Sequence, residues 1–211
     1  MALPDGGMLK RTGCVPDGVH WVCKGLVKVQ RDAPGEGLRV LTFLRPGFWC
    51  GVGPVIEQRL AHYDFVSCGT SHVVLLPAAH FLAMRDECDA LRTASDGWER
   101  RYAQRMAGLL DESLALAPAK LLARRVLELA QWCDEGRATV RLPLTQTDLG
   151  ALTGVTRQRI NQLLGVWRAQ GIASAAYGCV DVHDMDALAG LAGAQGLAAW
   201  KPETARVASL A

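Results

Sequence analysis

The chain has 211 residues, of which 50% are hydrophobic, and its 23 Lys and Arg against 21 Asp and Glu give a formal net charge of +2. This length allows one large or two small domains with a true core, but the small net charge gives no argument for a nucleic-acid partner. Because the chain has neither a basic leader with an apolar stretch nor an uncharged apolar run of about 18 residues, we expect a cytoplasmic protein that does not enter a membrane.

The seven cysteines are scattered along the chain, and none stands in a CxxC or CxxH spacing. An odd number without close pairs argues against a disulfide framework and against a zinc site. We interpret the cysteines as reduced and mostly buried small hydrophobic residues.

Up to about Leu76 the chain consists of short apolar runs separated by turn residues. Pro and Gly stand in the intervals, as at Arg45-Pro46-Gly47, where they favour tight turns. Many short strands with regular turns predict a barrel or jelly roll, that is, a double-stranded β-helix, over residues 1–86. The predicted strands are Val19–Cys23, Leu26–Gln30, Leu38–Leu44, Phe65–Cys68 and Val73–Leu76.

From Ala78 the composition changes to long stretches rich in Ala, Leu, Arg and Glu, which favour helix. Asp96 and Glu99 resemble a capping box and predict a long helix from about Asp96 to Ala117. Large side chains repeat at the helical period along it, so we expect residues 87–117 to pack against a second copy in a homodimer; packing within the protomer is the alternative. The residues expected at this dimer contact are Trp98, Tyr102 and Leu109.

Pro118 interrupts the helical pattern, and a second helix with one apolar face is predicted from Lys120 to Cys133. Because Pro fixes φ and lacks an amide donor, Ala117-Pro118-Ala119 is interpreted as a hinge. A short strand is expected over Ala138–Leu142. We assign residues 118–192 to a C-terminal domain and 193–211 to an irregular tail.

Two helices joined by a tight turn are predicted between Thr145 and Gln170. Thr145 and Asp148 form a helix start for Gln146–Thr153, Gly154 ends that helix, and Thr156 caps the next. The second helix carries an apolar stripe at i, i+3, i+4 and i+7 that faces a core. Its members are Ile160, Leu163, Leu164 and Trp167.

The opposite face of the second helix contains no acidic residue, and the run from Arg137 to Gln170 holds five Arg against one acid. A helix in the DNA major groove avoids carboxylates near phosphates and needs donors for base edges, which Arg, Asn and Gln supply. A solvated polar helix of an all-α domain is the alternative. The candidate base-contacting residues are Arg157, Gln158, Asn161 and Gln162. The candidate phosphate-contacting residues are Thr145, Thr147, Thr156 and Arg159.

The run Ile172–Val182, with Tyr177-Gly178 at its centre, predicts two short strands and a turn that would form a wing. Three acidic residues follow or end this run: Asp181, Asp184 and Asp186. We interpret them as caps of a short helix, Met185–Leu191, and predict no metal site.

The run LTQTDLGALTGVTRQRINQLL, residues 144–164, is similar along its whole length to the helix-turn-helix of the regulators typified by the cyclic-AMP receptor protein and the fumarate and nitrate reduction regulator. The segments Lys24-Gly25-Leu26-Val27 and Leu41–Gly47 resemble turns of that family's cyclic-nucleotide-binding jelly roll. The resemblance implies an α+β chain with a jelly roll, a dimerisation helix and a winged helix-turn-helix. It also implies a DNA-binding homodimer that reads bases with Arg157, Gln158 and Gln162, with RNA polymerase as a candidate partner.

The chain departs from the family's cyclic-nucleotide members, which use a glutamate for the ribose hydroxyl and an arginine for the phosphate. Val52 or a neighbour stands at the glutamate position and His62 near the arginine position, with Arg59 close by. Without that pair a cyclic phosphate loses charge-assisted contacts worth roughly 1.5–3 kcal/mol each, so we expect that cyclic AMP does not bind.

Other signals known in the family find little support in the sequence. Cys14 and Cys23 are too isolated for the iron–sulfur pattern, and no cysteine stands out as a thiol sensor. A haem ligand among the histidines is not favoured, the candidates being His20, His62, His72 and His80. Any cofactor and the effector stay unknown.

Two functions follow from these patterns. The first is a sequence-specific, homodimeric transcription regulator; the alternative is a cyclic-nucleotide-type ligand-binding module that acts through protein contacts. No GxSxG, HExxH, Walker loop or GxGxxG with a following helix occurs, so we do not predict an enzyme.

Overall fold

The structure is a computed structural model that describes residues 1–33, 35, 37–134 and 136–193. Its described residues divide into two compact units, one of Met1–Asp32 and Leu41–Leu109 and the other of Ala33–Val40 and residues 110–193. Strands and helices occur in both units, which confirms the predicted α+β class. The predicted irregular tail, 193–211, lies outside the described residues except for Gly193, which ends the last helix.

Within the described residues, six strands form the sheet of the N-terminal half. The strand β6 pairs antiparallel with β1, β2 and β3, and β3 also pairs with β4 and β5. The strands are β1 (Ala2–Leu3), β2 (Met8–Lys10), β3 (Gly18–Ala33), β4 (Gly37–Leu44), β5 (Trp49–Cys50) and β6 (Asp64–Pro77).

The structure joins two pairs of strands that the sequence predicts separately. β3 contains both Val19–Cys23 and Leu26–Gln30, and β6 contains both Phe65–Cys68 and Val73–Leu76. The β3–β6 ladder shifts register between Val22 and Leu26 and then continues. The polar and glycine residues of each interval therefore belong to a bulged ladder and not to a turn.

The core of this unit is built from the sheet and three helices, of which α2 (Ala78–Glu87) and α3 (Asp89–Ala115) are the longer two. A shorter helix, α1 (Val52–Ile56), follows β5. Phe81 of α2 and Trp98 of α3 are both buried in the core. The Trp98 ring meets Phe48 edge to face with centroids 5.2 Å apart, the arrangement that aromatic quadrupoles favour. Trp98 therefore fixes α3 on the sheet of its own protomer.

The helix α3 begins at Asp89, not at Asp96. Asp96 lies inside the helix, and its carboxylate is 2.9 Å from a guanidinium nitrogen of Arg85 in α2. The predicted capping box at Asp96 and Glu99 is therefore wrong, because two acids three residues apart also suit a helix interior where each takes its own partner.

The break at the predicted hinge separates α3 from α4 (Pro118–Cys133). α4 begins at Pro118, before the predicted Lys120, because the fixed φ of Pro suits the first helical turn, where no amide donor is needed. Across the break, the Glu112 carboxylate accepts hydrogen bonds from Arg124 at 3.2 Å and from Arg125 at 2.5 Å. This ion group ties the end of α3 to α4.

The rest of the second unit is a three-stranded antiparallel sheet, ordered β7-β9-β8, with helices around it. Its order of elements confirms the predicted winged helix-turn-helix, and both helices of the motif have the predicted bounds to within a residue. The elements are β7 (Val140–Leu142), α5 (Gln146–Thr153), α6 (Arg157–Ala169), β8 (Ala173–Ala176), β9 (Cys179–Val182) and α7 (Met185–Ala192).

None of the seven cysteines, all of which lie within the described residues, forms a disulfide bond. Only Cys50 and Cys68 are buried, whereas Cys14, Cys23 and Cys88 are exposed. The prediction that most cysteines are buried is therefore wrong. The three exposed cysteines lie in a turn, in the β3 bulge and between two helices. At these places the course of the backbone, and not the low polarity of the side chain, determines whether the thiol is exposed.

Candidate DNA interface and effector cleft

The first helix of the motif, α5, begins with a reciprocal capping box. The Thr145 hydroxyl accepts from the Asp148 amide at 3.0 Å, and the Asp148 carboxylate accepts from the Thr145 amide at 2.9 Å and from its hydroxyl at 2.7 Å. Asp148 is buried, so its charge is balanced by these donors and by the positive end of the helix. The predicted helix start at Thr145 is confirmed.

The turn between the two helices depends on Gly154, whose φ of 69° lies in the left-handed region. Residues with a Cβ are strained there. Two residues later Thr156 takes an extended conformation, and its hydroxyl accepts from the Arg159 amide at 3.3 Å. The turn therefore sets the direction in which α6 leaves α5.

The helix α6 has one apolar and one polar face. Its buried residues are Ile160, Leu163, Leu164 and Trp167, as predicted. Its polar side chains are all exposed: Arg157, Gln158, Arg159, Asn161, Gln162 and Arg168. Since α6 holds no Asp or Glu, the polar side chains of its open face are all cations or amides.

The four candidate base-contacting residues, Arg157, Gln158, Asn161 and Gln162, are all in the first two turns of α6 and are exposed to solvent. Gln162 also accepts a hydrogen bond from Arg159 at 3.1 Å. A Gln162 amide that binds a base must therefore either leave Arg159 or use its two N–H donors, which this bond does not occupy.

The four candidate phosphate-contacting residues are exposed but not equally available. The Thr145 amide and hydroxyl proton are both donated to Asp148, so Thr145 serves as a helix cap and a phosphate would have to displace that bond. The Thr156 hydroxyl accepts from Arg159 and keeps its proton for another acceptor. Thr147 and Arg159 are exposed in the first turns of α5 and α6.

The wing is formed by β8, β9 and the turn between them, with Tyr177 fully exposed in that turn. Arg141 of β7 binds the Asp181 carboxylate of β9 through two hydrogen bonds of 2.7 and 2.9 Å, and these bonds lower the pKa of Asp181. Asp184 caps α7 by accepting from the Ala187 amide at 2.8 Å. Capping is thus confirmed for Asp184 and wrong for Asp181, which holds the sheet together.

The three residues predicted at a dimer contact of α3 are largely covered within the protomer. Trp98 and Leu109 are each 7% exposed, and Tyr102 packs against the core that contains Trp98. Trp98 and Tyr102 therefore pack on the sheet of their own protomer, because α3 lies on the sheet over this part of its length, and the dimer contact expected at the three residues stays a prediction. The large apolar residues that α3 does expose are Leu110 and Leu114, at 62% and 81%.

A cleft lies beside the N-terminal part of α3, between α1, β5 and the segment that leads into β6. Its volume is about 160 Å³, below the ~300–1,000 Å³ of pockets for drug-sized ligands. Five aromatic residues line it: Trp49, Tyr63, Phe65, Trp98 and Tyr102. Glu99 lines the same space, and burial raises the pKa of its carboxyl.

The Glu99 carboxylate lies against the backbone of α1. It accepts a hydrogen bond from the Gly53 amide, and a Cβ at position 53 would stand 2.6 Å from Glu99 Oε2. A side chain at position 53 would force the Glu99 carboxylate to move, so Gly53 permits the present approach. The sequence pattern suggests that Glu99 is part of a helix cap. The signal that this interpretation misses is the i, i+3 spacing of Glu99 and Tyr102, which places both residues on one face of the helix.

Arg59 and His62 line the cleft, near the position where the family's cyclic-nucleotide members have a phosphate-binding arginine. Arg59 forms an ion pair with Glu57 and stands 3.3 Å from His62 Nε2. Val52, at or next to the position of the family's ribose-binding glutamate, is buried. The cleft therefore holds one guanidinium, which already pairs with Glu57 outside the lining, and one carboxylate, that of Glu99.

The structure shows no helix that is long and apolar enough to cross a membrane, within the residues it describes. In the same residues no three His, Cys, Asp or Glu side chains are grouped so that they could hold a metal ion.

A sheet domain, a long helix and a winged helix-turn-helix in this order define a bacterial-type regulator with a ligand-binding-like domain. A family model described as a cyclic nucleotide-binding domain matches residues 1–88, and one described as a Crp-like helix-turn-helix domain matches residues 122–191. The chain belongs to the Crp/Fnr family of transcription regulators. No curated protein matches it at a significant level.

Three solved structures of regulators and related proteins have the same fold as this chain. TTHB099, a CRP-family transcriptional regulator from Thermus thermophilus, matches with a TM-score of 0.78 at 20% identity, over 92% of this chain and 96% of that chain. FixK2 from Bradyrhizobium japonicum matches with a TM-score of 0.77 at 13% identity, over 90% and 95%. The c-di-GMP responsive global regulator CLP from Xanthomonas campestris matches with a TM-score of 0.70 at 13% identity, over 87% and 93%.

Proposed function

We propose that this regulator binds DNA sequence-specifically as a homodimer and does not respond to cyclic AMP. The observation that carries the proposal is the exposed face of α6, which presents Arg, Asn and Gln and no carboxylate. Such a face suits the major groove, where phosphates repel acids and base edges need bidentate donors.

Within this proposal, Arg157 and Gln158 read bases first, because the N-terminal turns of a recognition helix enter the groove. Asn161 and Gln162 follow one turn later. Thr147, Thr156 and Arg159 hold the phosphates on either side, which fixes the position of the helix without reading sequence. Thr145 supports them as the cap of α5.

The homodimer is proposed to form along α3. Leu110 and Leu114 stand at i and i+4 and are left in water by their own protomer, and Ala103 and Ala107 continue their row at spacings of three and four. Alternation of three and four is the spacing of a helix-to-helix seam. Leu109 lies beside this row, whereas Trp98 and Tyr102 support the helix from behind.

The absence of a cyclic-AMP response is supported by the cleft. A cyclic phosphate would face the Glu99 carboxylate and find Arg59 already paired with Glu57. The cleft of about 160 Å³ is also small for a nucleotide. A protein with this fold, CLP from Xanthomonas campestris, is described as c-di-GMP responsive.

The decisive experiment is selection of bound DNA from a random pool, without added nucleotide. We expect a two-fold symmetric site whose half-sites lie about one helical turn apart, roughly 34–36 Å. Binding to the selected site should weaken steeply as salt rises. The protein displaces counterions from the DNA phosphates, and the free energy gained from their release falls as the salt concentration increases. No enrichment of any sequence would favour the other candidate, a module that acts through protein contacts, and micromolar binding of cyclic AMP would disprove the last part of the proposal.

A further inference from the structure

The cleft beside α3 contains a buried polar group without a partner. The Tyr102 hydroxyl is buried and has no hydrogen-bond partner among the described residues, and Tyr102 lines the cleft. A buried hydroxyl without a partner costs about 1–3 kcal/mol, and such groups in native proteins call for an explanation. A ligand that enters the cleft would supply the missing partner.

The charge of the cleft selects the sign of that ligand. Among the described residues that line it, Glu99 is the one carboxylate, and the guanidinium of Arg59 is paired with Glu57 outside the lining. The charges of Glu57 and Arg59 shift the pKa of Glu99 in opposite directions. Glu99 accepts from a neutral donor, the Gly53 amide. A positively charged ligand would therefore meet an unbalanced carboxylate, and an anion would meet a repulsive one.

The aromatic residues that line the cleft determine the shape of the ligand that fits. Trp49, Tyr63 and Trp98 place aromatic surface around a space of about 160 Å³, which suits one flat ring and not a nucleotide. Aromatic faces also attract cations, by about 0.5–2 kcal/mol depending on solvation. Shape and charge therefore favour the same kind of occupant.

We infer that this cleft is the binding site of a small, planar, positively charged ligand that pairs with Glu99 and hydrogen-bonds to Tyr102. The ligand would be the signal of the proposed regulator, so its regulatory role, but not its binding, rests on the proposed function. Such a cation would contact α3 at Glu99, whose carboxylate already binds α1 through the Gly53 amide.

Three single-ring probes of equal size and different charge test the inference: benzamidine, benzamide and benzoate. In calorimetric titrations of the full chain without DNA, benzamidine should bind saturably and at least tenfold more tightly than benzoate, with benzamide between them. Because Trp49 and Trp98 line the cleft, benzamidine should also change the tryptophan fluorescence with the same midpoint. No saturable binding of benzamidine, or equal or tighter binding of benzoate, would overturn the inference.

Two variants locate the site. Glu99→Gln keeps the shape and an acceptor for the Gly53 amide but removes the charge, and it should lose at least tenfold in benzamidine affinity. Tyr102→Phe should lose severalfold and keep the order of the probes. The matched control is Glu87→Gln, an exposed acid at the end of α2 outside the cleft, whose affinity should be that of the wild type.

The test does not depend on whether a variant folds, since the affinities of the three probes for the wild-type chain already support or contradict the inference. Benzamidine affinity that Glu99→Gln leaves unchanged in a folded variant would also overturn the inference. If benzamidine fails to bind but a DNA site is selected normally, the proposed ligand site is wrong and the proposed regulator stands. If benzamidine binds as expected but no DNA is bound, the proposed ligand site stands and the proposed regulator is wrong.

Discussion

The recognition helix α6 and the cleft beside α3 present opposite surfaces. α6 is an open cationic face with no acid, whereas the cleft is narrow, aromatic and carries the carboxylate of Glu99. The open face of α6 suits a polyanion such as DNA. The Glu99 carboxylate repels anions from the enclosed cleft. The two proposed binding functions, of DNA and of a ligand, therefore differ in the charge that they require, so a phosphate ligand suited to one surface is unsuited to the other.

The two regions also differ in what holds their residues. The polar side chains of α6 all lie on one helix, whereas those that line the cleft come from several elements, among them α1, β5, β6 and α3. A change in the support of α3 should therefore disturb the cleft and leave the face of α6 intact.

Trp98→Ala is expected to have the largest effect. The ring fills the core against Phe48, so its removal should lower the free energy of unfolding by about 3–5 kcal/mol. Chemical denaturation at several protein concentrations measures this loss. Because the loss arises inside the protomer, it should not depend on concentration.

The matched change on the outer face of α3 is Leu114→Ala, since Leu114 is 81% exposed in the protomer. It should leave the unfolding of the protomer nearly unchanged and weaken its dimer, as measured by sedimentation. If Trp98→Ala instead dissociates the dimer at wild-type stability, Trp98 is a dimer contact after all.

The next largest effect is expected on DNA. Arg157→Ala should reduce discrimination at one base position by about 1–3 kcal/mol, because a bidentate contact to guanine is lost. Competition between DNA sites that differ at single positions measures it. Thr156→Val should instead weaken all sites alike. Equal weakening of all sites by Arg157→Ala would make Arg157 a phosphate contact.

These differences explain which parts of the molecule the sequence predicts. The caps, the turn at Gly154 and the two faces of α6 depend on neighbours within about four residues, so local spacing was sufficient for them. The burial of Trp98 depends on Phe48, half a domain away in sequence, and an amphipathic pattern on α3 cannot tell a sheet from a second helix as its partner. The same holds for Glu99, whose partner Gly53 lies on another element.

A smaller effect is expected at the start of α5. Asp148→Ala leaves the Thr145 amide and hydroxyl without their acceptor, which should cost about 0.5–2 kcal/mol of stability. It should also weaken binding to every DNA site, because α5 supports the turn that directs α6. Denaturation and DNA titration of the same sample measure both. Lower stability with unchanged DNA affinity would show that the cap does not position α6.

The smallest effect is expected in the wing, where it appears as a pH dependence. Arg141 lowers the pKa of Asp181 in the folded state from its ordinary value of 3.8. The pair therefore stabilises the fold above that value and loses its contribution as the pH falls through the lowered pKa. Asp181→Asn should be less stable than the wild type at neutral pH, and the difference should shrink as acid is added. High salt should reduce it as well, since Arg141 is largely exposed and its charge is screened. Thermal unfolding between neutral and acidic pH measures the difference, and a gap that widens in acid would mean that Asp181 is stabilised by something other than Arg141.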